Sequence, residues 1–348
     1  MNALGLRPGR AAAAACLALA VGLSALPGCV PTGMSPVEKS GIAMDTFVRV
    51  RAYGPGAGEA AAAALAEIQR LDALLDPYDE SSEIAAVNRA AGTGAVRVSP
   101  ETLEVVERAL WHAERTGGSF DPTILPLVKA WGFPTTPHIP GPEKLGEALS
   151  LVDYRLVAVD RSNSTLSLGK KGMCLDLGGI AKGYAVDRAA AVLVERGIRS
   201  ALIEAGGNVY ALGMKPAALA GSTSWRVGIQ HPRDPAGLVA TVTVSGQSVV
   251  TSGDYQRFFE AAGVRYHHLL DPGTGQPARS FMSVTVIGPS STDADALSTA
   301  VFVMGERAGL DLLRTTRGFG AVAVRADGTT IVAGEPPGRV DLAGGTGR

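Results

Sequence analysis

Met173-Cys-Leu-Asp-Leu-Gly-Gly-Ile-Ala-Lys-Gly-Tyr-Ala-Val-Asp187 is an apolar run that passes through small residues into a helix predicted over Lys182 to Arg196 and closed by Gly197. Such a junction lets an anion approach the backbone. Gly178, Gly179 and Gly183 carry no Cβ to hold a ligand away, and a helix start offers unbonded N–H groups and the positive end of its dipole. In isolation the same pattern is equally a tight strand-to-helix turn without a ligand. Three further segments repeat its glycine-rich, acid-bearing character: Thr116-Gly-Gly-Ser-Phe-Asp-Pro-Thr123, Thr251-Ser-Gly-Asp-Tyr-Gln-Arg257 and His268-Leu-Leu-Asp-Pro-Gly-Thr-Gly275.

Working outward, Gly58 to Leu75 reads as a helix stopped by Pro77, and Ser99 is placed to N-cap a helix with Pro100 at its first position, ending near Thr116. Short β-like runs follow at Arg155–Val159, Thr165–Leu168, Ala201–Ile203, Trp225–Ile229, Val239–Val244, Tyr266–Leu270 and Ser283–Ile287. Helices are predicted over Ala294–Met304 and Glu306–Thr315, then a hairpin over Val322–Val332 turning at Asp327-Gly328. Strands and helices do not alternate strictly, which disfavours a regular parallel α/β sheet. The expected class is α+β, with mostly antiparallel sheets and packed helices.

The N-terminus has Arg7 and Arg10, an apolar stretch from Ala11 to Ala25, and Leu26-Pro-Gly-Cys29. This reads as an exported lipoprotein with lipid on Cys29, with simple secretion as the alternative. The apolar run is shorter than the ~20 residues a bilayer span needs. The expected division is a signal peptide over 1–28, a Pro/Gly/Ser-rich tether over 29–41, a folded body over 42–335 and a loose tail over 336–348. Of three cysteines only Cys174 falls in the body, so no disulfide framework forms there, and its apolar setting marks a buried inert thiol. The formal charge is −1 for the whole chain and −3 without Arg7 and Arg10, so nucleic acid is not the expected partner. Neither a Gly-x-Gly-x-x-Gly nor a P-loop Gly-Lys-Ser/Thr is present.

Together these segments resemble the ApbE-type FAD:protein FMN transferases from about Ala43 to about Gly305. Supporting matches are Met44-Asp-Thr46, Asp76-Pro-Tyr-Asp-Glu-Ser-Ser-Glu-Ile84 with Asn88, Trp131-Gly-Phe133, Gly206-Gly207 and Asp295-Ala-Leu-Ser-Thr299. Asp45 and Asn208 depart from the Met-Gly-Thr and Gly-Gly-Asp of many members. The resemblance implies a T-fold-related single body with a nucleotide cleft. It also implies FAD as substrate and Mg²⁺ as cofactor, with FMN passed to a Ser or Thr hydroxyl and AMP released. Acceptors would be flavoprotein subunits of membrane redox complexes, reached from the periplasmic face of the inner membrane. An Mg²⁺-dependent FAD pyrophosphatase and a flavin-binding lipoprotein without turnover are the alternatives.

Asp295 and Thr299 lie four apart on a predicted helix, so carboxylate and hydroxyl share one face and can meet one cation. Equally, they are a helix-start acid and a hydroxyl bonded to its own turn. The resemblance favours the first, adding the Ala181 carbonyl and Ser298 as Mg²⁺ contacts. His268 sits at a strand end where a near-neutral imidazole can take a proton, while His267 should face the other way; Asp271 is the next candidate. A surface or turn-capping histidine is the other reading. Met44, Tyr78, Ser119, Phe120, Asp121, Gly178, Lys182, Tyr184, His268 and Thr274 are the FAD contacts the resemblance implies. Asp254, Tyr255 and Arg257 are either substrate contacts or a salt-bridged turn.

Overall fold

The computed structural model describes residues 35–217 and 221–343, all within one compact unit. The signal segment and Cys29 lie outside the described residues. In chain order come β1 (Val37–Ala43), β2 (Thr46–Tyr53), α1 (Ala57–Leu75), α2 (Glu83–Arg89), β3 (Val96–Arg97), α3 (Pro100–Arg115), α4 (Leu125–Ala130) and α5 (Pro142–Leu149). Then follow β4 (Val157–Asp160), β5 (Thr165–Leu168), α6 (Ala181–Glu195), β6 (Ser200–Ala205), β7 (Asn208–Leu212), β8 (Lys215–Ala217), β9 (Gly221–Thr223), β10 (Trp225–Gln230) and β11 (Leu238–Val244). The chain closes with β12 (Gln247–Gly253), β13 (Phe258–Ala261), β14 (Val264–His267), β15 (Phe281–Gly288), α7 (Ser291–Thr315), β16 (Gly320–Arg325), β17 (Thr330–Gly334) and β18 (Arg339–Leu342).

Eight strands make one sheet in the order β1-β2-β6-β7-β12-β15-β16-β17, with every neighbouring pair antiparallel. Its two faces are covered differently. On β16, Ala321 and Ala323 pack under α7 with Leu297, Val301 and Phe302, while Val322 and Val324 face Trp225, Val242 and Val244 of the three-stranded β10-β11-β18 sheet. Successive side chains point to opposite faces, and both faces are dry, so the strand reads as a continuous apolar run. Alanine on the helix side lets α7 lie close, and valine fills the wider gap between sheets.

Local signals account for the helices. The Ser99 hydroxyl accepts from Thr102 N–H and caps α3, with Pro100 in its first turn. The two helices expected on either side of Gly305 both form; they are the two segments of α7 and meet at that glycine, whose backbone is non-helical (φ 78°, ψ −176°) and where a Cβ would press on Ser280 Oγ. The 327–328 hairpin forms as expected between β16 and β17.

Three expectations are corrected. The tether does not extend to residue 41, because β1 starts at Val37 and pairs along its length with β2. Nor is residue 336 onward wholly loose, because β18 pairs with β11. Both are polar sheet-edge strands held by backbone bonds and, for Glu38, by Arg49 and Arg51; composition alone reads such segments as linkers. The folded body accordingly runs over 37–342 rather than 42–335. Cys174 is half-buried rather than fully buried, and burial raises its thiol pKa, which disfavours the thiolate. No described helix is long and apolar enough to cross a membrane.

Candidate functional site

A cavity of about 650 Å³ opens where the starts of α6 and α7 meet the β1–β2 turn, the loop after α1, the β7 and β12 strands and the loops flanking β13–β14. It gathers Met44, Tyr78, Ser119, Phe120, Asp121, Gly178, Ala181, Lys182, His268, Asp295 and Thr299 from segments scattered along the chain. Four expected residues lie outside its lining. The Tyr184 hydroxyl donates to Glu104 on α3. Asp271 accepts from Gly273 N–H and Thr274 Oγ1 within their own turn, which removes both residues from the cavity. Ser298 is fully buried, its hydroxyl bonded to Asp295 O and Ser252 Oγ.

The glycine-rich turn is filled more by its own protein than expected. Gly178 N–H donates to Asp176 Oδ1, Ala181 N–H to Leu177 O and Gly183 N–H to Asp295 Oδ2 (2.9 Å), which leaves few helix-start donors for a phosphate. Positive charge comes instead from Lys182, whose Nζ donates to Gly178 O at 2.6 Å and lies 3.6 Å from Asp295 Oδ2. The glycines also differ in purpose. A Cβ on Gly179 would stand 3.0 Å from the Phe120 ring and 3.5 Å from Thr299 Oγ1, inside the cavity. A Cβ on Gly183 would collide with the Ser291 carbonyl of α7, so that glycine serves helix packing rather than ligand approach.

The oxygen donors meet the requirements of a hard cation. Asp295 is only 3% exposed, and beyond the Gly183 bond its Oδ1 has no partner among the described residues. Thr299 Oγ1 lies on the same face of α7, positioned by Ser252 Oγ at 3.2 Å, and Ala181 lines the same wall. No described cluster of three His, Cys, Asp or Glu side chains competes as a metal site. One carboxylate with hydroxyl and carbonyl oxygens suits Mg²⁺, which keeps water or phosphate in its remaining positions, and does not suit Zn²⁺.

The opposite wall carries the two histidines, which separate as strand alternation requires. His267 is buried; its Nε2–H donates to Ala278 O at 2.8 Å and Nδ1 accepts Leu269 N–H, and burial lowers its pKa to about 4. His268 lines the cavity. Its Nδ1 faces Arg257 O at 3.2 Å, and because a carbonyl can only accept, Nδ1 carries the proton and Nε2 keeps a free lone pair. The near-neutral imidazole expected at His268 is corrected: desolvation, with the Arg257 guanidinium beside it, lowers its pKa to about 3, so the ring is uncharged at ordinary pH and a weaker proton acceptor than a free imidazole. Asp121 lines the cavity, but its oxygens already accept from Thr123 N–H, Thr123 Oγ1 and Tyr154 N–H. Asp254 forms the salt-bridged turn, bound by Arg233 at 2.7 and 2.6 Å, whereas Tyr255 and Arg257 face the cavity.

The sequence model of the ApbE family matches residues 44–323. The chain belongs to the ApbE family. It is 40% identical over 307 residues to the FAD:protein FMN transferase of Treponema pallidum (strain Nichols), covering 83% of this chain and 84% of that one. Among solved structures, the ApbE protein of Thermotoga maritima superposes with a TM-score of 0.80 at 35% identity, covering 86% of this chain and 97% of that one. The flavin transferase ApbE of Vibrio cholerae gives 0.76 at 28%, with the same coverage. The α+β, mainly antiparallel single body is thus the ApbE fold.

Within that ApbE cavity stand residues the sequence reading did not single out: Asp72, Asp176, Ser252 and Gln256. Asp176 had a signal. It lies between Leu175 and Leu177, both buried, and alternation turns it away from the core toward the cavity, where burial raises its pKa. Asp72 carries no comparable signal on its Ala- and Leu-rich helix.

Proposed function

We propose that this protein transfers FMN from FAD to a Ser or Thr hydroxyl of an acceptor protein. One observation carries the reading: a neutral imidazole with a free Nε2, a lysine and a set of hard oxygen donors converge on one cavity. The acceptor hydroxyl oxygen bonds to the FMN phosphorus, the bond linking that phosphorus to the AMP phosphate breaks, and AMP departs. The hydroxyl proton passes to His268 Nε2 and from there to solvent. Arg257 O holds the ring in the tautomer that leaves Nε2 able to accept. Lys182 places positive charge beside the diphosphate, and Phe120 and Tyr78 supply apolar surface for the flat rings of the dinucleotide.

Asp295, Thr299 and the Ala181 carbonyl would hold Mg²⁺, which when bound supplies charge neutralisation at the diphosphate. The lipoprotein signal supports an exported protein anchored through Cys29 at the periplasmic face of the inner membrane. There it would meet flavoprotein subunits of membrane redox complexes. Mass spectrometry of the mature N-terminus tests the anchor, and an unmodified terminus starting elsewhere rules it out.

Incubation of the protein with FAD, Mg²⁺ and an acceptor tests the reaction. Flavin attached to the acceptor supports transfer. Free FMN and AMP with an unlabelled acceptor would make the protein an FAD pyrophosphatase, and unchanged FAD would leave only a binding protein.

A further inference from the structure

We infer that Asp187, which does not touch the cavity, is a positioning residue for the cation donors. The inference rests on the metal reading above. Asp187 lies on α6 one turn beyond Gly183, and its carboxylate receives the start of α7. Oδ1 accepts from Ser291 N–H at 2.9 Å, and Oδ2 accepts from Ser290 Oγ at 3.0 Å, Thr292 N–H at 2.9 Å and Thr292 Oγ1 at 2.7 Å. α7 already has its own cap, since Ser290 Oγ accepts from Asp293 N–H. A second, external cap from another helix is more than helix formation requires.

What it adds is a fixed relation between two helices. One turn back on α6, Gly183 N–H donates to Asp295 Oδ2, and one turn on from Ser291 stands Asp295 itself. The helices are therefore joined reciprocally: an α6 carboxylate caps α7, and an α7 carboxylate receives an α6 N–H. Ala181 on α6 and Asp295 and Thr299 on α7 form one donor set only while that joint holds. The absent Cβ of Gly183 lets the backbones touch there, but contact alone does not fix rotation about α7. Four hydrogen bonds to one carboxylate do.

Asp187→Asn tests this. The amide nitrogen replaces an acceptor with a donor facing N–H and O–H groups, so the joint loosens while the shape is kept. Loss of a partner bonded directly to a metal ligand typically costs about 10–100-fold in metal affinity, and Asp187 acts one step further out, through Ser290, Ser291 and Thr292. The Mg²⁺ concentration for half-maximal transfer should therefore rise by about 10-fold, the lower end of that range, with the rate recovering at saturating Mg²⁺. Mn²⁺ binding, read by electron paramagnetic resonance without acceptor, should weaken in parallel. Wild-type metal affinity in Asp187→Asn, with only a lowered Tm, would make the residue a stability cap and overturn the inference.

Should that variant fail to fold, Thr292→Val removes one of the four bonds and must show a smaller shift in the same direction; an unchanged affinity there also overturns it. Asp295→Ala in the same titrations separates the two levels. If Asp295→Ala binds Mn²⁺ normally, the metal reading itself is wrong. If it loses Mn²⁺ while Asp187→Asn keeps it, only the positioning role falls.

Discussion

The two walls of the cavity are built in opposite ways. The α6–α7 wall is buried and interlocked: Asp295 is 3% exposed, Ser298 fully buried, and hydrogen bonds run in both directions across the joint. The facing wall is a set of turns. Met44 and Asp45 form a two-residue hairpin loop with φ of 52° and 55°, the left-handed pair of a type I′ turn that normally selects Asn-Gly. Each such residue costs of the order of 1–2 kcal/mol. Asp45 reaches Arg257 at 3.4 Å, both side chains largely in solvent. The Asp295 and Thr299 oxygens thus sit on the interlocked wall, while His268 and the rim sit among turns.

The largest expected effect is on the interlocked wall. Asp295→Ala should abolish Mg²⁺-dependent transfer while far-ultraviolet circular dichroism stays native, and EDTA should do the same to the unaltered protein. Full activity in either case would remove the contrast.

Next comes His268→Ala, which should lower single-turnover transfer by about 10² to 10⁴ with FAD affinity nearly intact. His267→Ala should lose about 1–3 kcal/mol of stability, from the orphaned Ala278 carbonyl, and keep its rate. If His267→Ala is the slow variant, the two histidines have been assigned the wrong way round. The pH profile sharpens the point. His268 titrates near 3, so the neutral base persists and the rate should hold level as pH falls through about 6.5, where an unperturbed imidazole would charge. Stability behaves differently. Both folded-state values lie below the ordinary 6.5, so the unfolded chain takes up protons first. The contribution is complete above about 6.5 and is lost progressively toward about 4 for His267 and about 3 for His268. An acid limb in the rate near 6.5 would place the base elsewhere.

The smallest effect belongs to the rim. Asp45→Gly relieves a left-handed side chain at the cost of an exposed ion pair, worth 0–1 kcal/mol. Its urea midpoint should rise slightly, with transfer little changed. A clear loss of stability would show the turn to be unstrained.

Where a local rule decides, the sequence is readable. Ser99-Pro100, Asp327-Gly328 and Gly305 each mark a cap, a turn or a break through their own backbone chemistry, and His267/His268 divide by strand alternation. The middle of the sheet is not readable in that way. β12, Gln247–Gly253, pairs with β7 and β15 through distant contacts and ends in small polar residues without a strand signature. The same limit applies to the site. Tyr184 follows Gly183 by one position, but a step of 100° around the helix turns it from α7 toward α3. Asp271 and Thr274 satisfy each other in an Asx turn, which the Asp-Pro-Gly-Thr run signals locally although the family pattern pointed to the cavity.

The contact of Gly183 with Ser291 has a consequence for motion. At that point backbone lies against backbone with no side chain between, and the Gly183 amide is bonded to the buried Asp295 carboxylate. Its exchange with deuterium requires the two helices to part, so that amide reports the cooperative opening of the core rather than local breathing. The turns across the cavity carry no such interlock, so the amides around Met44 and Asp45 should exchange faster than that of Gly183.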